Sequence, residues 1–212
     1  MTTTVTWKDN YRLKSIQYQL LFSIIILAFV LYFYSGFLNY VEMREGFSFN
    51  DPVLDLIKPI NLTWLIFISI YLSLIAGIII LIKKPLQLAF AIQVYIILIL
   101  VRMLAMYSVP LNPPPEMIPL NDPFVRFFGT GRILAKDLFF SGHTATLFML
   151  YLVMEKKLIK RIFLILTIIV ALSVIFQHVH YFIDVFAAPF FSYGCYVIVK
   201  YSRLRINAGF ID

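Results

Sequence analysis

A few side chains could do acid–base or nucleophilic chemistry inside otherwise apolar sequence: Arg102, Ser141, His143, His178, His180 and Asp184. His180 and Asp184 are spaced i, i+4, which on a helix puts them on one face within touching distance. A carboxylate on one imidazole nitrogen fixes the tautomer and raises the basicity of the other, which makes a histidine a base or a nucleophile. The plainer alternative is a polar pair closing a tight turn. Ser141, Gly142 and His143 open another apolar run. Serine suits a helix N-cap, the free amides behind it attract anions such as phosphate, and glycine lets a ligand approach the backbone. His143 could then serve the same anion as a proton donor. An ordinary capped helix start with an interfacial histidine is the competing reading.

Arg102 has a fork that matches phosphate oxygens, or else it snorkels to nearby headgroups. Asp137, four residues before Ser141, orients a basic group or ends a helix. His178 could join His180 on a metal, but no cysteine or further histidine cluster lies nearby. The expectation is therefore no metal and no cofactor.

These residues must be positioned by membrane-spanning elements. The chain of 212 residues is 61% hydrophobic and only 14% charged, far from a soluble composition. Hydropathy places six spans, at Ile16–Leu38, Leu62–Ile82, Leu86–Met106, Leu138–Met154, Ile162–Phe176 and Tyr181–Val199. The first is too long for a secretory signal and is expected to be retained. The last two are separated by no charge, yet one helix over Ile162–Val199 would run about 57 Å, too long for one crossing. The chain must turn, and "QHVH" at 177–180 is the polar place to do so. The fold expected is an all-α integral membrane protein: one domain over residues 1–212, a six-transmembrane-helix bundle.

Most of the 18 lysines and arginines, among them Lys83, Lys84, Lys156, Lys157, Lys160 and Arg161, fall on the side that holds both termini. Five, namely Arg44, Lys58, Arg126, Arg132 and Lys136, fall on the other. The positive-inside rule then makes both termini cytoplasmic. A net charge of +7 carried in short loops beside apolar spans is a topology signal and excludes a nucleic-acid partner. The proline-rich loop Tyr107–Asp137 becomes extracytoplasmic, with "FVRFF" (124–128) suited to the interface. Cys195 reads as a small buried hydrophobe.

On this topology Arg102, Ser141–His143 and His180–Asp184 all fall near the outer ends of three different spans. A proton or ion transporter would scatter polar groups through the full depth of the membrane, so an enzyme with an extracytoplasmic active site is the stronger expectation.

"FFSGHT" (139–144) and "HVHYFIDV" (178–185) resemble the two signatures of the sphingomyelin synthase family, within the type 2 phosphatidic acid phosphatase superfamily. The first has the form D-x-x-x-S-G-H-T, met by Asp137, Ser141, Gly142, His143 and Thr144. The second, H-x-H-Y-x-x-D-V, is met by His178, His180, Tyr181, Asp184 and Val185. "RMLAMYSVPLNPP" (102–114) is similar to a third segment, matching at Arg102, Met106 and Tyr107. The ordinary phosphatases carry a lysine, a proline and an arginine where this chain has Tyr95, Phe140 and Val174.

The resemblance, over about residues 100–200, implies a metal-free double displacement. His180 attacks phosphorus, supported by Asp184, and His143 protonates the leaving oxygen and then activates the acceptor. Arg102, Ser141 and Gly142 hold the phosphoryl oxygens, with Asp137 and Tyr181 completing the substrate site. The partners implied are a phospholipid donor and an acceptor, either a lipid hydroxyl of the ceramide or diacylglycerol type or water. With water the same residues make a lipid phosphatase.

Overall fold

A computed structural model describes residues 10–120 and 134–208. Six α-helices account for most of them: α1 (Asn10–Met43), α2 (Thr63–Leu81), α3 (Pro85–Ser108), α4 (Gly142–Val153), α5 (Lys157–Phe176) and α6 (Phe182–Ala208). Five are long and apolar enough to cross a membrane. The all-helical expectation holds. A bilayer leaves no water for the backbone, so each span must satisfy its own amides and carbonyls.

The fourth element departs from expectation. A span over Leu138–Met154 was expected, but the helix starts at Gly142 and has 12 residues, about 18 Å at 1.5 Å per residue. That is well short of a hydrocarbon core of about 30 Å. The reason is tertiary: the preceding main chain is used for contacts to other helices. The carbonyl of Phe140 accepts from Arg102, and the amide of Ser141 donates to Asp184. α1 is longer than its expected span of Ile16–Leu38, because helix continues into polar sequence at both ends.

Short α4 is surrounded, packing on α2, α3, α5 and α6. Its inner face (Ala145, Leu147, Met149, Leu150) is buried in the main apolar cluster with Phe163, Val170 and Val174 of α5 and Val185 and Ala188 of α6. By contrast α1 packs on α3 at the edge of the bundle, with 11% of its apolar window buried against 33–44% for the other four long helices. Exposed Ile75, Ile79, Ile165, Ile168 and Phe190 form the surface that meets lipid.

Hydrogen bonds show which ends of the helices lie together. At one end Arg44 donates to the carbonyls of Met106 and Tyr107, the Ile60 amide bonds Phe176 O at 2.8 Å, and Gln177 Oε1 accepts from the Leu62 amide at 2.8 Å. At the other end Lys84 pairs with Glu155, Gln87 donates to Val153 O at 2.6 Å, and Arg203 donates to Gln93 and to Leu86 O. Consecutive helices therefore alternate in direction. The α5–α6 turn falls at 177–181, as expected from its polar residues, with His178 at φ 55°. Beyond Ser108, where α3 ends, the described part of the proline-rich loop is not helical, whereas "FVRFF" lies outside the described residues.

Candidate active site

The start of α4 and the start of α6 meet at the first end. The amide of Ser141 donates to the carbonyl of Asp184 at 3.0 Å. This one main-chain bond sets the S-G-H-T segment beside the H-x-H-Y-x-x-D segment. Ser141, His180 and Asp184 are all at most 1% exposed.

His180 precedes α6 rather than standing on it, so the helical i, i+4 argument needs correcting. The pair forms because Asp184 turns back across the helix start: its Oδ2 accepts from the amide of Tyr181 at 3.2 Å and lies 3.4 Å from His180 Nδ1. The distance suits an ion pair and is long for a hydrogen bond. His180 Nδ1 and Asp184 Oδ1 are buried with no hydrogen-bond partner among the described residues. Buried orphaned polar atoms are rare and commonly belong to working sites, and catalytic hydrogen bonds are often long before substrate binds.

Ser141 occupies the N-cap position of α4, but its hydroxyl makes no capping bond to an amide. It pairs instead with the hydroxyl of Thr144 at 3.1 Å. The amides of Gly142, His143 and Thr144 precede the first i→i−4 bond of the helix, made by Ala145 to Ser141 O, and point out of the helix start. An added Cβ at Gly142 would come within 2.8 Å of Arg102 Cζ. The glycine is thus required by the guanidinium lying flat against it.

Arg102 does not snorkel. It is 6% exposed and turned inward onto protein groups. Nε donates to Phe140 O at 2.8 Å and Nη2 to Asp137 O at 3.3 Å, while Nη1 lies 2.8 Å from Asp137 Oδ1 and donates to the Tyr34 hydroxyl. Tyr34 Oη in turn lies 3.4 Å from Asp137 Oδ1. Asp137 orients a basic group and ends no helix. Sequence reasoning passed over Tyr34, one of 13 tyrosines. A period-3.6 reading of α1 gives it no distinction from its aromatic neighbours.

Arg102, Asp137, Gly142 and His143 share the wall of a cavity of about 270 Å³. His180 and Asp184 are not in that wall. Tyr181 is fully buried, stacked on Phe49 at 4.1 Å, with its hydroxyl donating to Asn112 O at 3.1 Å. His178 Nε2 lies 3.0 Å from Ile57 O and Nδ1 3.3 Å from Pro115 O, so both nitrogens face main-chain carbonyls. A second residue missed from sequence is Asp51, 6% exposed. Its Oδ2 accepts from the amide of Phe182 at 2.6 Å and its Oδ1 from Val53 N at 3.0 Å. Cys195 is buried, as expected.

Residues 135–201 match the family model described as PAP2 superfamily C-terminal. The stretch is shorter than half of the chain. It covers α4, α5 and most of α6, holds Asp137, Ser141, His143, His180 and Asp184, and leaves out Arg102, Tyr34 and Asp51. No curated protein matches the chain. The similarity to this phosphatase superfamily points to phosphatase- or phosphotransferase-type chemistry on lipids.

Proposed function

We propose that the protein is a membrane lipid phosphotransferase. It moves a phosphoryl headgroup from a phospholipid to a lipid hydroxyl of the ceramide or diacylglycerol type through a histidine nucleophile, at an extracytoplasmic site. The observation that carries this reading is the Ser141–Asp184 bond, which couples a phosphate-type helix start to a buried histidine–carboxylate pair at one end of an apolar bundle.

In the first displacement His180 Nε2 attacks phosphorus, because Nδ1 faces Asp184. A nitrogen–phosphorus bond forms and the phosphorus–oxygen bond to the donor lipid breaks. His143 delivers a proton to that leaving oxygen. In the second, the acceptor hydroxyl gives its proton to His143 as its oxygen attacks phosphorus, and His180 leaves. Asp184 holds the proton on Nδ1 and balances the imidazolium charge in both steps. The helix-start amides beginning at Gly142, backed by the Arg102 cation against Gly142, receive the phosphoryl oxygens. The hydroxyl of Ser141 and the tethered Tyr181 fix the two helix starts around them. Asp137 keeps Arg102 in place, and no step needs a metal.

The match to the phosphatase superfamily favours one other reading, in which water is the acceptor and the enzyme is a lipid phosphate phosphatase. Purified protein given labelled phospholipid, with and without ceramide or diacylglycerol, separates the two. A new labelled lipid that requires the added acceptor supports the transferase, and free phosphate alone supports the hydrolase. Full activity in His180→Ala would overturn both.

A further inference from the structure

The cavity beside His143 continues away from the polar residues into the apolar length of the bundle. Its polar end is Arg102, Asp137, Gly142 and His143, and its walls beyond are Ile70 and Leu74 of α2, Leu98 and Ile99 of α3, and Ala145 of α4. Along α3 the lining runs from Arg102 back to Tyr95, seven residues or about 10 Å of helix. The cavity therefore starts at the level of the proposed phosphoryl site and descends toward the middle of the membrane.

Its side is bounded by two helices that do not pack extensively on each other. α1 packs on α3, whereas α2 packs on α3, α4 and α5. Tyr34 on α1 and Tyr71 on α2, both half-buried, contribute to the lining from the two sides of this seam. A seam between two membrane helices faces hydrocarbon, not water.

We infer that this cavity is a binding slot for one hydrocarbon chain of the lipid whose headgroup reacts, entered laterally between α1 and α2. The occupant follows from three features: walls that are mostly apolar, with only the hydroxyl-bearing Tyr71, Tyr95 and Thr146 among them, charged groups confined to one end, and a side formed by two helices that do not pack extensively on each other. Size limits it to one chain. A dry apolar cavity of about 150 Å³ accepts one benzene ring, so about 270 Å³ has room for roughly ten carbons and not for two chains side by side. The slot rests on the proposed lipid-phosphate chemistry for its orientation, with the phosphate end at Arg102 and His143.

The test is photolabelling of the full-length protein in phosphatidylcholine vesicles. The probe is a phospholipid with an alkyl diazirine about eight carbons along one chain, and adducts are mapped by peptide mass spectrometry. Annular lipid reaches exposed positions such as Leu72 and Ile79, but Leu98, Ile99 and Ala145 are at most 4% exposed. Adducts on Ile99 or Ala145 are expected, lost in Leu98→Trp and in Leu74→Trp, with labelling of Leu72 and Ile79 unchanged. The two fillers come from different helices, so failure of one to fold leaves the other to decide. Adducts confined to exposed faces, or slot labelling that survives a folded filler, would overturn the slot. Labelling needs no turnover, so slot adducts on a protein that transfers no phosphate would refute the proposed chemistry and leave the slot standing. Turnover without slot adducts would do the reverse.

Discussion

Asp51 and Phe182 are 131 positions apart in sequence and joined by a 2.6 Å hydrogen bond, carboxylate to main-chain amide. The amide belongs to the first residue of α6, and the loop between α1 and α2 thus caps the helix that carries Asp184. Two amides at the start of α6, Tyr181 N and Phe182 N, are held by carboxylates. Asp184 takes the first and Asp51 the second. Freed of Asp51, the Phe182 amide would compete for the Asp184 carboxylate and draw it from His180. Asp51→Ala should cost about 1–2 kcal/mol as a lost cap, read by thermal unfolding in detergent, and should lower kcat more than it raises KM. Asp51→Asn keeps one acceptor oxygen and should fall between. Equal kcat in Asp51→Ala and the parent would refute the positioning role.

His180→Ala should reduce turnover by at least about a thousandfold, as removal of a nucleophile does. Asp184→Asn should reduce it by about 10²–10⁴, because the amide can present its NH2 to Nδ1 and select the wrong tautomer. Turnover here is product lipid plus free phosphate, counted together, so the result does not depend on which acceptor is used. An Asp184→Asn enzyme with full activity would reduce that pair to a structural one.

Arg102 and Asp137 form a buried ion pair with side chains 7% and 27% exposed. Removing one member strands the other, at a cost of about 3–5 kcal/mol for fully buried pairs. Because Asp137 keeps some solvent contact, Arg102→Ala should fall near the lower end. Tyr34→Phe removes the hydroxyl that accepts from the cation and donates weakly to Asp137, and should cost about 1 kcal/mol. Gly142→Ala tests the same cation from the other side. Its Cβ would stand 2.8 Å from Arg102 Cζ, so the guanidinium must move. Activity should then fall although a helix-start glycine has become a better helix former. Thermal stability and turnover measured together separate these effects. Wild-type turnover in Gly142→Ala would show that the close approach is dispensable.

How far the sequence foretold this arrangement depends on the range of the contacts. α2, α3, α5 and α6 begin or end within a few residues of their hydropathy limits, because a membrane span is a local property of about 20 residues. Ser141, His143, His180 and Asp184 were legible because polar residues in apolar runs stand out. The turn at 177–181 was forced by length. The late start of α4 was not legible, since it arises from Arg102 and Asp184 drawing on main-chain groups of Phe140 and Ser141. Nor were Tyr34 and Asp51, whose contacts reach 68 and 131 positions along the chain. Nothing about one tyrosine in an aromatic helix, or one aspartate in a loop, announces such a partner.

His178 offers a prediction in which backbone and side chain can be separated. Its ring nitrogens face Ile57 O and Pro115 O, so it ties the α1–α2 loop and the proline-rich loop to the turn that carries His180. Its φ of 55° lies in the left-handed region, where Asn is tolerated and Ala is strained by roughly 1–2 kcal/mol. Both His178→Ala and His178→Asn lose at least one tether, at about 1 kcal/mol each, but only Ala adds backbone strain. His178→Ala should therefore unfold at lower temperature than His178→Asn, and His178→Gly, which loses the same two tethers as Ala but is relieved of strain, should also exceed Ala. If Ala and Gly variants melt together, the left-handed backbone is not what this position contributes. If all three variants match the parent, the two carbonyl contacts do not hold the loops to the turn.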